Sequence, residues 1–321
     1  MSTRSSVIDL PLLSTTLGVS LPVFTMVFIG AVLRRLGWID QSFVNTASSL
    51  VFRVTMPTLL FLSLLRATPG DDLKLGLVAF YLGISAVIFF IIWAWALWRC
   101  PREDRGVYVQ GAFRGNCGIV GLALSANMYG STGLSLGSIM AGGIIIVNLV
   151  MSAIVLSVYS PVVSSRPLDI LKDVATNPLI IGIAAALPLT YLHVDLPSWL
   201  MTSGDYLASL SLPLALICIG GSLSIKAARE SGALALSASL WKLVLMPAIG
   251  VGLALAAGYR DTELGMLFLF LGSPTAAVAY VMARGAGANE RLAANIIMLS
   301  TLLSIVTISM GLLLLSVWRL I

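Results

Sequence analysis

Apolar residues run along this chain in ten stretches, near 15–35, 43–65, 75–98, 106–129, 134–159, 176–193, 206–225, 233–257, 263–284 and 292–317. Short clusters of charged and turn-forming residues separate them. Roughly 20 apolar residues are needed to cross the hydrocarbon core of a bilayer as a helix, so the pattern predicts an all-α polytopic membrane protein with ten transmembrane helices. The first stretch exceeds the apolar core of a secretory signal and ends on Arg34-Arg35 without a cleavage pattern, so it reads as the first helix. The fourth and ninth stretches are interrupted near their middles, by Gly115-Asn116-Cys117-Gly118 and by Gly272-Ser273-Pro274-Thr275. Glycine and proline both oppose helix continuation, and each interruption predicts a broken helix.

The two halves repeat. Pro22 and Pro178 lie 156 residues apart, as do Pro57 and Pro213, and Gly115 and Gly272 lie 157 apart. These landmarks divide the chain into a first five-helix repeat, 1–160, and a second, 161–321. Five is odd, so the second repeat enters the membrane in the opposite sense, the inverted architecture of many secondary transporters. Lys and Arg follow the same division. The loops after helices 1, 3, 5, 7 and 9 hold eleven, from Arg34 to Arg291 and including Arg102, Lys226 and Arg229, against five for the termini and remaining loops. By the positive-inside rule, both termini lie on the outer face of an inner (plasma) membrane.

Composition narrows the chemistry. Hydrophobic residues make up 58% of the chain and charged ones 10%, well under the roughly 25% charged content of soluble domains. The net charge of +5 follows from basic residues flanking apolar runs, so it reports topology and not nucleic acid. Cys100, Cys117 and Cys218 are too widely spaced for a metal site or a disulfide framework. All fourteen acidic residues fall in loops or at helix ends. No paired carboxylates, and no nucleophile with a base, stand at membrane depth, so neither an enzyme nor a cofactor is expected. The single histidine, His193, reads as interfacial.

The breaks are where a ligand is expected. Unwound backbone survives at membrane depth only against protein or a water-filled cavity. Oppositely directed broken helices at matching depth can cross, which brings together the N–H-bearing starts of their second halves, near Ile119 and Ala276, where an anion is favoured. The candidate substrate-binding residues are Gly115, Asn116, Cys117, Gly118, Ser273, Pro274 and Thr275 at the breaks. Asn148 and the repeat-equivalent Ser304 stand on the neighbouring helices, and Lys242 lies about ten residues into helix 8. For the basic residues Arg53, Lys242 and Arg114, the last just before the first break, two readings stay open: snorkelling to the surface or facing the cavity. The hydroxyls Ser300, Ser304 and Thr307 read either as interhelical hydrogen bonds or as cavity lining.

Several segments together resemble the auxin efflux carrier family: Met56-Pro57-Thr58-Leu59-Leu60, Arg114-Gly115-Asn116-Cys117-Gly118-Ile119-Val120-Gly121, Thr176-Asn177-Pro178, Lys242 with Pro247, and Ser273-Pro274-Thr275-Ala276 with Ser300-Thr301. The resemblance covers nearly the whole chain. It implies a fold similar to sodium/proton antiporters and bile-acid symporters, with helices 1, 2, 6 and 7 as a scaffold and 3–5 and 8–10 as a mobile transport domain that works as an elevator. It also implies small carboxylate substrates such as malonate, malate or lactate. This chain has Asn116 without a following proline and Pro274 without a preceding asparagine, and its loop near 160–175 is short, so auxin itself is not the expected substrate. The expected function is therefore secondary transport of a small organic anion by alternating access, directed outward. Sodium or proton coupling, a membrane anion sensor and a homodimer stay open.

Overall fold

The computed structural model describes residues 10–66, 74–160, 168, 171–172, 175–192, 194–223 and 232–321. His193, Lys226 and Arg229 fall outside them. The described helices are α1 (Leu10–Arg35), α2 (Gln41–Leu65), α3 (Leu75–Arg99), α4 (Arg105–Phe113), α5 (Cys117–Tyr159), α6 (Pro178–Tyr191), α7 (Ser198–Ser222), α8 (Ala233–Ala256), α9 (Asp261–Leu271), α10 (Val278–Gly285) and α11 (Glu290–Val317). Among the described residues there is no strand. Six of these helices, α2, α3, α5, α7, α8 and α11, are long and apolar enough to cross a bilayer. Phe90, Trp98 and Val306 are more than half exposed, as suits a multi-pass protein whose outer surface meets lipid.

Local chemistry explains most of the boundaries. Asp40 and Asn177 cap α2 and α6 by accepting from the backbone N–H groups of Phe43 and Leu179. Pro57 and Pro247 sit just inside helical segments and lack an N–H. Each follows a five-residue π turn, Val51–Thr55 in α2 and Trp241–Leu245 in α8, that absorbs the mismatch. The long α5 bends at Gly130, whose φ of 59° and ψ of −135° are not helical. That bend separates the fourth apolar stretch from the fifth. One boundary differs clearly from the sequence expectation: α7 begins at Ser198 and not near 206, because Pro197 starts a helix that carries Asp205 within it. Asp205 is stabilised there by both oxygens accepting from Arg66 at 2.8 Å.

Packing gathers the helices into two groups. One joins α1 along α7, and α2 against α6 and α7; the other joins α4 to α3, α5, α8 and α11, and α8 to α9 and α11. A smaller apolar cluster is centred on the first group and a larger one on the second, and each reaches across: the smaller takes in Leu122 of α5, the larger Val23, Phe24 and Val27 of α1 and Leu216 of α7. Met56, Leu60, Leu179, Ala208 and Ala215 are buried in the first. Tyr81, Phe89, Phe113, Phe270 and Ile296 are buried in the second. The α1–α7 contact is close enough to need glycine on both sides, since a Cβ at Gly30 would lie 2.1 Å from the Ile217 carbonyl oxygen, and one at Gly220 would lie 1.8 Å from that of Val27. Gly220→Ala must therefore push α1 and α7 apart, at a cost of about 1–3 kcal/mol. A melting temperature several degrees below wild type in detergent is the expected result.

Loops meet in two sets. Lys74 pairs with Glu263 at 2.8 Å, Tyr259 Oη donates to Gly76 O, and Asp261 N donates to Leu320 O. Elsewhere Asn289 Nδ2 donates to Asp104 Oδ1 at 2.8 Å and Ser160 Oγ donates to Ala286 O at 2.6 Å. Each contact joins loops that strict alternation of crossings would assign to the same face.

Candidate functional site

The two breaks cross. α4 stops at Phe113 and α5 starts at Cys117; α9 stops at Leu271 and α10 starts at Val278. Between them, Gly115 and Thr275 face each other in an isolated antiparallel bridge. Asn116 N donates to Pro274 O at 2.6 Å, and Ala276 N donates to Arg114 O at 3.1 Å. The two unwound segments thus satisfy each other where lipid could not. A side chain at Gly115 has no room: a Cβ would lie 2.7 Å from Ser273 Oγ, 2.9 Å from Cys117 Sγ and 3.1 Å from Lys242 Cε.

Polar side chains brace the crossing from α3, α5 and α11 and from the second break itself. Thr275 Oγ1 donates to Gly111 O at 2.7 Å, covering a carbonyl at the end of α4, and Thr275 N donates to Ser300 Oγ of α11. Ser273 Oγ turns back to Phe270 O at 2.9 Å. Cys117 Sγ lies 3.3 Å from Ser273 Oγ, Phe270 O and Tyr81 Oη. Tyr81, from α3, packs edge-on against Phe270. Thr275 and Ser273 are therefore committed to the backbone. Asn116 is not: its side chain makes no capping bond, and it is only partly buried at the start of α5. Beyond Gly118 a Cβ would meet nothing within 4 Å, so the start of α5 borders open space.

Two cations flank the crossing. Lys242, in the π turn of α8, is fully buried, and its Nζ donates to Leu271 O at the end of α9 and approaches the Met246 sulfur. Burial decides against the snorkelling reading for Lys242. Arg53, by contrast, lies exposed. Arg114 is 5% exposed and reaches from the first break toward the second arm of α5, where Nη1 donates to Ser152 Oγ at 3.2 Å and Asn148 O at 3.4 Å. The same nitrogen lies 2.8 Å from the Met282 sulfur of α10. Among the described residues no buried Asp or Glu accompanies either cation.

The structure thus brings Gly115, Asn116, Cys117, Gly118, Ser273, Pro274, Thr275 and Lys242 together. Asn148 joins through Arg114, whereas Ser304 bonds only within α11, to Thr301 O. Sequence reasoning left out Gln110, Tyr81, Met282 and Ser152. Gln110 was visible as an amide four residues before Arg114 inside an apolar run, where one helical face holds both. Away from the crossing, a cleft of about 180 Å³ opens beside the Arg66–Asp205 pair, lined by Ser63, Ser131 and Ser135 among others.

The family model described as membrane transport protein matches residues 17–160 and 162–311. An uncharacterised transporter of Methanocaldococcus jannaschii is 24% identical over 91% of this chain and 96% of its own length. A Rhizobium meliloti protein provisionally named a malonate transporter is 26% identical over 91% and 93%. An uncharacterised transporter of Methanothermobacter thermautotrophicus is 27% identical over 90% and 94%. With the match running through both halves and across both breaks, this chain belongs to the membrane transport protein family, that of the auxin efflux carriers.

Proposed function

We propose that the chain is a secondary carrier for a small organic anion, of the mono- or dicarboxylate class, which binds beside the crossing of the two breaks. The observation that carries this reading is the charge at the crossing. Two buried cations stand there without a buried carboxylate among the described residues, and a central Lys or Arg costs about 2.5–3.5 kcal/mol on insertion scales. A bound anion would offset that cost. The backbone N–H groups at the start of α5 add partial positive charge next to open space.

The movement we propose is alternating access in a ten-crossing, inverted-repeat protein. α1, α2, α6 and α7 serve as the scaffold, and the helices around the crossing move against it. What supports this is the contact between α7 and the first turn of α5, where one arm of the crossing meets a proposed scaffold helix. The name of the Rhizobium meliloti relative makes malonate the first substrate to try.

Uptake of radiolabelled malonate, lactate and acetate into proteoliposomes tests the proposal, with saturable uptake of at least one expected. Absence of uptake and counterflow for every one would refute it. Asn116→Ala should raise KM roughly 10- to 100-fold, because a hydrogen bond to a charged acceptor contributes about 1.5–3 kcal/mol. Its melting temperature should match wild type, since the side chain supports nothing else. A KM unchanged by the substitution would make Asn116 a backbone element only.

A further inference from the structure

The two buried cations are not equivalent. Lys242 Nζ is held by the carbonyl of Leu271, the last residue of α9, and a cation there answers the negative end of the helix and satisfies a carbonyl that has no partner within it. Its charge already has a use. Arg114 has none of that kind: a single nitrogen, Nη1, donates to the Met282 sulfur at 2.8 Å, to one hydroxyl at 3.2 Å and to one backbone carbonyl at 3.4 Å. A guanidinium carries five N–H donors in a planar fork suited to a carboxylate. Its surroundings are also incompletely satisfied. Gln110 is fully buried with its Oε1 unpartnered, and its amide nitrogen reaches only the Met282 sulfur at 3.5 Å; Asn148 is 4% exposed with its Oδ1 unpartnered. Buried amides normally find partners. Here two of them, from α4 and α5, lie around one guanidinium that lacks a counter-ion among the described residues.

We infer that Arg114, beside Gln110, Asn148 and Ser152, receives the carboxylate of the carried anion, while Lys242 is a fixed charge that holds the end of α9. The inference rests on the carrier reading and gives that reading its charge-bearing residue. The spare donors of the guanidinium take the carboxylate oxygens. The two amides, whose oxygen and nitrogen can exchange places by a flip, complete the shell with the ligand or with water carried alongside it. Met282 of α10 lies against both Arg114 and Gln110. The neutral neighbours matter, because a nearby acid would neutralise the guanidinium and compete with the ligand.

The test compares wild type, Arg114→Gln, Arg114→Lys and Lys242→Met. Malonate, lactate, acetate and chloride are the probes, read by thermal stabilisation of the purified protein in detergent and by proteoliposome counterflow. Arg114→Gln should keep the unliganded melting temperature within a few degrees and weaken carboxylate binding by about tenfold or more, the loss of one charge-assisted bidentate contact. Arg114→Lys should fall between, since an ammonium keeps the charge without the fork. Lys242→Met should lower the unliganded melting temperature. Carboxylate stabilisation of Arg114→Gln equal to that of wild type would overturn the inference while leaving the carrier reading intact. So would a Lys242→Met protein that melts like wild type but has lost carboxylate stabilisation. A wild-type protein that neither binds nor carries any of the carboxylates would overturn both.

Discussion

Gly115→Ala is expected to reduce malonate uptake by roughly a hundredfold or more. The added carbon would sit within 3.1 Å of Ser273 Oγ, Cys117 Sγ and Lys242 Cε at once. None of the three can swing away freely, since Ser273 is bonded to Phe270 O, Cys117 lies against Tyr81, and Lys242 is held at Leu271 O. Relief must come from the backbone, by stretching the Asn116–Pro274 and Ala276–Arg114 bonds that join the breaks. Leaving one buried backbone group unpaired costs about 1–3 kcal/mol, and overpacking costs a similar amount. A parted crossing would displace both Asn116 and Arg114, so binding falls along with stability. Gly118→Ala is the control for added bulk: a Cβ there meets nothing within 4 Å, and its melting temperature should stay at the wild-type value. Uptake by Gly115→Ala close to wild type would mean that the bridge is not needed for transport.

What the sequence disclosed followed from how lipid filters residues. Apolar runs report spans because the bilayer admits little else, so most helix boundaries lie within a few residues of the stretches. Gly115, Asn116 and Pro274 reported a break because glycine and proline act through their own backbone, with no knowledge of neighbours. Side-chain direction is different. Lys242 and Arg53 looked alike in sequence, each about ten residues into an apolar run, yet one is buried against Leu271 O and the other is exposed. Only the rotation of each helix about its axis separates them, and that is set by packing. Thr275 and Ser273 read as possible ligands because hydroxyls suit anions, and three-dimensional proximity to Gly111 O and Phe270 O committed them to the fold instead. The early start of α7 was hidden by Asp205, a charge that reads as a loop until Arg66, 139 residues away, is seen to pair with it.

A potential of 100 mV, negative inside, is expected to bias the net distribution of a monovalent anion carried by uniport toward the outside by roughly fortyfold, since moving one charge releases about 2.3 kcal/mol per 100 mV and 1.4 kcal/mol is a factor of ten. The warrant is the buried charge of the proposed site: Arg114 and Lys242 without a buried acid among the described residues, and hence no carboxylate there to carry a compensating proton. The two cations do not cancel the effect. If they travel with the transport domain they go out with the anion and return without it, so over a full cycle only the substrate's charge is moved. Their positions decide which half of the cycle feels the potential. A dianion such as malonate should show twice the logarithmic effect of acetate, which is itself a check that charge and not affinity is being measured. Proteoliposomes holding a potassium gradient with valinomycin, at equal pH and sodium on both sides, give the measurement. Uptake should rise when the inside is made positive and fall when it is made negative. Indifference to the sign of the potential would refute uniport and assign the carrier a co-transported proton or sodium ion in stoichiometric balance with its anion.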